Sequence, residues 1–152
     1  MSRLNKYRFG FSVEGLIGFA LVMLPNIIWM IHPPADDPIS ANQSSIAAVN
    51  IVMSAAQWIM IAVLICVKSE EYNHNDRNIH YIAICGICLA IYYVSWILYY
   101  CGVHPAAMLV GMAVEPSIYF IVLGLWLRNY ISLPPAVIFA VLHILVTMSN
   151  AI

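Results

Sequence analysis

Five apolar runs separated by short polar segments decide what this chain can fold into, because about 20 consecutive apolar residues are what a helix needs to cross a hydrocarbon core. They fall at 11–31, 46–67, 79–101, 106–127 and 133–150. Composition agrees: 63% hydrophobic and 9% charged residues, with a mean hydropathy of +0.88, lie far from the about 45–50% apolar and about 25% charged of soluble domains. The expected fold is all-α, a polytopic integral membrane helical bundle of five transmembrane helices forming a single transmembrane domain over residues 1–152. The 152 residues leave no room for a soluble domain, so the bundle must carry any function. A net charge of -1 and the lack of a basic tract offer nothing to nucleic acid. The partner that the composition requires is the lipid bilayer.

The first run follows Arg3, Lys6 and Arg8 and so resembles a secretory signal. It is longer than the about 7–15 apolar residues of a signal and ends in Trp29-Met30-Ile31-His32-Pro33-Pro34 instead of a small-residue cleavage site, so it is expected to be retained. Basic residues accumulate in cytoplasmic loops. With the N-terminus cytoplasmic, Arg3, Lys6, Arg8, Lys68, Arg77 and Arg128 all lie inside, while Asp36, Asp37, the His104 turn and the C-terminus lie outside. The expected location is the plasma membrane, of the bacterial inner-membrane type, with a multi-pass topology.

Against this apolar background, the ionisable and helix-breaking residues are the candidates for function. Glu115 and Pro116 interrupt the fourth run. An acid at the centre of a spanning helix costs roughly 2.5–3.5 kcal/mol on the lower scales and marks a packed interior, a cavity or a partner. Proline has no N–H to donate, so Pro116 frees the carbonyl of Met112 and kinks the helix beside the acid. Pro25 does the same in the first span, beside Asn26 and Trp29. At about 1.5 Å per residue, Glu115 lies about 14 Å from the outer end of its span and His143 about 15 Å from the inner end of the fifth. Both are near the midplane, and antiparallel neighbours could join them in a protonatable pair, with Gln57 at similar depth. Asn50, Ser54 and Gln57 form one polar stripe; Ala136, Ala140, His143, Thr147 and Asn150 form another.

Tyr92, Tyr93 and Trp96 lie deeper than an interfacial aromatic belt requires and suit the wall of an amphipathic cavity, whereas Tyr99 and Tyr100 suit the belt. Glu14, one turn inside the first span, is either an interfacial acid paired with Arg8 or Arg128 or a secondary gate acid in series with Glu115. Cys85-Gly86-Ile87-Cys88 has the C-x-x-C spacing of redox and metal sites, with Cys66 on the same side, yet inside an apolar span it reads first as small polarizable packing residues. His74 and His80, with Glu70, Glu71 and Asp76, lack defined ligand spacing. No metal, cofactor or conventional catalytic motif is expected.

The segment Trp96-Ile97-Leu98-Tyr99-Tyr100-Cys101-Gly102 is similar to the Trp, paired aromatics and Gly of the translocator family of tetrapyrrole- and sterol-binding membrane proteins, and the run from Pro135 to Asn150 resembles that family's last helix. The resemblance implies a five-helix plan and a tetrapyrrole or sterol ligand. The family's Trp- and Pro-rich first loop has no counterpart in His32-Pro33-Pro34-Ala35-Asp36-Asp37-Pro38.

The reading of the residues themselves is a membrane protein that binds a small amphipathic or cationic molecule, with proton-coupled transport as its extension. Glu115 would be the counter-ion or proton carrier and His143 its partner. Gln57, Asn50 and Asn26 would be polar anchors, Tyr92 and Trp96 the wall, and Pro25 and Pro116 the kinks. The alternatives are an intramembrane enzyme acting on a lipid or isoprenoid through Glu115 and His143, and a non-catalytic subunit or immunity-type partner. A homodimer through the Gly15/Gly18 face is the assembly that small-residue packing allows.

Overall fold

The computed structural model describes residues 6–73 and 78–151. Its five helices, α1 (Val13–Ile31), α2 (Ala47–Cys66), α3 (Ile79–Tyr100), α4 (Ala106–Trp126) and α5 (Leu133–Ala151), are each long and apolar enough to cross a membrane. Each starts within two residues of its expected run. The protein is therefore a multi-pass membrane protein by length and composition. One element is not helical: Tyr7–Phe9 (β1) pairs antiparallel with Val67–Ser69 (β2), with Arg8 opposite Lys68. The all-α expectation missed this ribbon because three residues are too few to show a period-two pattern. Arg3, Arg77, His74 and Asp76, used in the orientation and loop arguments, lie outside the described residues.

The helix boundaries have local causes. The Ser12 side chain caps α1 by accepting from Gly15 N–H at 3.1 Å, and Asn78 caps α3 by accepting from His80 N–H at 3.2 Å. At the end of α3, Gly102 takes φ +80° and Val103 N–H donates to Leu98 O at 3.0 Å, the left-handed glycine stop of a helix. The end of α4 uses the same stop without glycine. Arg128 sits at φ 51°, and Asn129 N–H donates to Gly124 O at 2.9 Å. The strain of a left-handed non-glycine residue, about 1–2 kcal/mol, is offset by the buried Asn129. Its amide nitrogen donates to Val63 O at 3.0 Å and Val67 O at 2.9 Å, bracing the point where α2 passes into β2.

The bundle is built around α4, the most buried of the five. It packs chiefly against α3 and α5, and α5 packs against α2. Helix α1 is held by small residues near the ribbon. A Cβ on Gly15 would collide with the carbonyl of Leu64, and one on Gly18 would lie 2.6 Å from Leu123 Cδ2. The close approach expected of the Gly15/Gly18 face is thus used within the chain. The ribbon extends the join: Gly10 N–H donates to Cys66 O at 3.0 Å and Ser12 N–H to Ile65 O at 2.7 Å. Beside it Lys6 pairs with Glu71, which holds that carboxyl below the ordinary range.

These contacts predict opposite outcomes for two glycines. Gly15→Val forces α1 away from α2, with an expected loss of about 1–3 kcal/mol from overpacking and a lower midpoint in a thermal size-exclusion assay. A Cβ at Gly86 meets nothing within 4 Å, so Gly86→Ala is expected to be neutral or stabilising by up to about 1 kcal/mol. Equal behaviour of the two variants would contradict this packing.

Candidate ligand cavity

All five helices line one cavity of about 240 Å³. It lies away from the ribbon, toward the end where the 32–45 loop folds over the bundle. Helix α4 supplies Met112, Ala113, Pro116 and Phe120; α5 supplies Phe139, His143 and Thr147. Helix α1 adds Val22 and Asn26, α2 adds Met53 and Gln57, and α3 adds Tyr92 and Trp96. Most of the wall is apolar, and a few polar side chains converge on it.

Of the residues singled out in the sequence, Asn26, Gln57, Tyr92, Trp96, His143 and Pro116 meet at this cavity. Asn26 Nδ2 donates to Tyr92 Oη at 2.8 Å and to Val22 O at 2.8 Å, joining α1 to α3. The Trp96 ring is packed between aromatic neighbours, with centroids at 6.5 Å from Trp29, 6.2 Å from Tyr92 and 5.5 Å from Tyr99. Its buried Nε1 comes near the Tyr92 oxygen without making hydrogen-bond geometry. His143 stacks on Phe139 with centroids 5.0 Å apart and planes 16° from parallel. Pro25 is buried in α1. The carbonyl of Leu21, which Pro25 frees, accepts from Tyr93 Oη at 2.7 Å.

Three candidates sit elsewhere. Glu115 does not line the cavity; its carboxyl lies beside Ser95 of α3, and Oε2 is buried without a hydrogen-bond partner. Among the described residues nothing links it to His143. Glu115 lies one residue, roughly 100°, around α4 from Pro116, and that turn points it at α3. Asn50 pins the loop, accepting from Ser44 N–H at 3.0 Å and donating to Ser44 O at 2.8 Å. Glu14 lies at the ribbon end, in a recess shared with Arg8 and Lys68. The thiols of Cys85 and Cys88 are free and turned toward α4; Cys85 Sγ is 4.0 Å from Tyr119 O.

A feature missed in the sequence is the lid. Within the 32–45 loop, the 3-10 turn Pro38–Ala41 places Ile39 over the cavity, followed by Asn42. Asp37, just before the turn, accepts from Trp29 Nε1 at 2.9 Å and from Tyr99 Oη at 2.5 Å, and Ile39 N–H donates to Tyr99 Oη at 3.2 Å. On the far side Asn42 Nδ2 donates to Thr147 Oγ1 at 2.9 Å and Asn150 Nδ2 to Asn42 Oδ1 at 3.0 Å. His104 adds a contact with Asp36 at 3.3 Å. Asp37 directly before Pro38 is ordinary turn chemistry, and only the fold shows what the turn covers.

The fold defines a bundle of five helices, each long and apolar enough to cross a membrane, with one cavity under the 32–45 loop. No protein-family model matches the chain, and no curated protein or solved structure gives a significant match. The likeness to the translocator family rests on the short segments quoted above.

The lid is predicted to be latched by Asp37. Asp37→Ala leaves the Trp29 and Tyr99 donors without their shared acceptor, so amide hydrogen exchange over the 3-10 turn should quicken severalfold while the ribbon amides keep their protection. Unchanged exchange at Ile39 would show that the latch does not hold the lid.

Proposed function

We propose that this protein binds a small amphipathic molecule in the cavity enclosed by its five helices and lid. The cavity itself carries the reading. Small-molecule sites are concave and mostly apolar, with a few convergent polar groups, and here such groups arrive from four helices, α1, α2, α3 and α5. At about 240 Å³ it exceeds the roughly 150 Å³ of an engineered cavity that takes up benzene. It falls below the about 300–1,000 Å³ typical of drug-sized sites, which weighs against a ligand as large as a tetrapyrrole.

Lys6, Arg8, Lys68 and Arg128 gather at the ribbon end, which supports a cytoplasmic ribbon and a lid facing the outside of a bacterial-type plasma membrane. Binding is better supported than proton-coupled transport, because the acid suited to carry the proton, Glu115, sits at the α3–α4 contact. Its separation from His143 also weighs against a lipid- or isoprenoid-modifying enzyme using the two as acid and base.

Native mass spectrometry of detergent-purified protein provides the test. Ala113 lies in the cavity wall and is almost wholly buried, so Ala113→Phe directs a ring into the space. The wild type is expected to carry a discrete small-molecule adduct that Ala113→Phe lacks at an unchanged thermal midpoint. The same adduct at the same occupancy in both proteins would refute the cavity as the binding site.

A further inference from the structure

Among the described residues, two polar side chains that line the cavity, besides the Trp96 indole, make no hydrogen bond. Gln57 on α2 and His143 on α5 both line it, and among the described residues neither the amide nor the ring makes a hydrogen bond. The two helices pack against each other, so both groups belong to one wall. The stack on Phe139, at 5.0 Å and 16°, fixes the plane in which the imidazole nitrogens point. The other polar side chains are engaged. Asn26 donates to Tyr92 and Val22, Asn42 to Thr147, Asn150 to Asn42 and Gln43, and Thr147 Oγ1 to His143 O. The Trp96 Nε1, on a residue that also lines the cavity, is buried beside the Tyr92 oxygen without a hydrogen bond of its own. The Gln57 amide and the His143 imidazole therefore face the cavity with hydrogen-bonding capacity that a ligand can use.

The lining also lacks charge. Among the described residues, no Asp, Glu, Lys or Arg lines the cavity. Asp37 beside the lid is committed to Trp29 and Tyr99, and Glu115 turns to Ser95. A cationic ligand, admitted by the sequence, would enter without a counter-charge, which a low-dielectric site penalises heavily. An amide and an imidazole each offer a donor and an acceptor, and their complement is a group that does both at once.

We infer that, if the cavity is the ligand site, the polar head of its ligand is an uncharged hydroxyl or carboxamide that hydrogen-bonds to Gln57 and His143, with the apolar body lying against Met112, Phe120 and Phe139. This rests on the function proposed above and replaces the amphipathic-or-cationic class with a neutral one.

Three probes of equal chain length separate the possibilities: 1-decanol, decanoate at pH 8 and decyltrimethylammonium, titrated by native mass spectrometry against the wild type, Gln57→Leu, His143→Phe and Ala113→Phe. Leucine keeps much of the volume of Gln57, and phenylalanine keeps the stack on Phe139, so both variants are expected to fold. Decanol should bind the wild type saturably and at least about tenfold more tightly than either charged probe. Each polar-to-apolar variant should weaken it by about tenfold, the loss of one good hydrogen bond, and Ala113→Phe should abolish it. The inference is overturned if decanol does not saturate, if decyltrimethylammonium binds as tightly, or if decanol ignores both Gln57→Leu and His143→Phe. In the latter two cases sensitivity to Ala113→Phe would leave the cavity as a ligand site; binding of every probe unchanged in Ala113→Phe would remove that reading as well.

Discussion

A carbonyl without an N–H partner has no water to turn to inside a bilayer, and α1 is arranged around one such group. Pro25 removes the donor that Leu21 O would have had, and Tyr93 of α3 replaces it at 2.7 Å. One turn further on, Asn26 reaches Tyr92 of the same helix. These two bonds tie the lid half of α1 to α3. In its other half the helix lies on α2 and α4, through Gly15 and Gly18. A helix that changes partners along its length cannot fill the space between all its neighbours, and the cavity lies where α1 has left α2 for α3.

Helix α4 has the second proline and a different solution. Pro116 leaves Met112 O without a helical donor, and in the next turn Ser117 Oγ donates to Ala113 O at 2.6 Å. Met112, Ala113 and Pro116 all belong to the cavity wall, so the proline turn of the central helix lies beside the open space. Non-helical backbone at membrane depth is tolerated where protein or a cavity surrounds it. Of the two prolines, Pro116 lines the cavity, while the bond that answers Pro25 lies outside its lining.

The spans were legible because twenty-odd apolar residues between polar loops admit one reading. Of the stripe Ala136, Ala140, His143, Thr147 and Asn150, the first four face the bundle interior, whereas Asn150 is exposed at the cavity's rim and bonds the 32–45 loop. The Asn50, Ser54 and Gln57 stripe failed at its upper end, where α2 emerges from the bundle and Asn50 finds the loop instead. The place of Glu115 along α4 follows from the sequence, but the side of the helix it takes does not. Depth follows from counting residues, whereas azimuth depends on which helices flank α4, and nothing local in the sequence encodes that α3 lies on the Glu115 side. The lid depends on partners 60 and 105 residues apart, Ile39 with Tyr99 and Asn42 with Thr147, so no window along the chain could show it.

The two ends of the bundle are closed by different kinds of bond. At the ribbon end, backbone pairs with backbone across β1 and β2, Asn129 holds the last carbonyls of α2, and Gly15 admits no gap. Separating those elements would expose several main-chain groups at once. At the other end, closure rests largely on side chains of a single loop, chiefly Asp37, Asn42 and their partners on α1, α3 and α5. Side-chain hydrogen bonds at a water-facing surface contribute only about 0.5–1.5 kcal/mol each, because water replaces them when they break. Local opening follows the weakest cooperative unit. The loop end is therefore the end expected to open first, while the ribbon end stays shut.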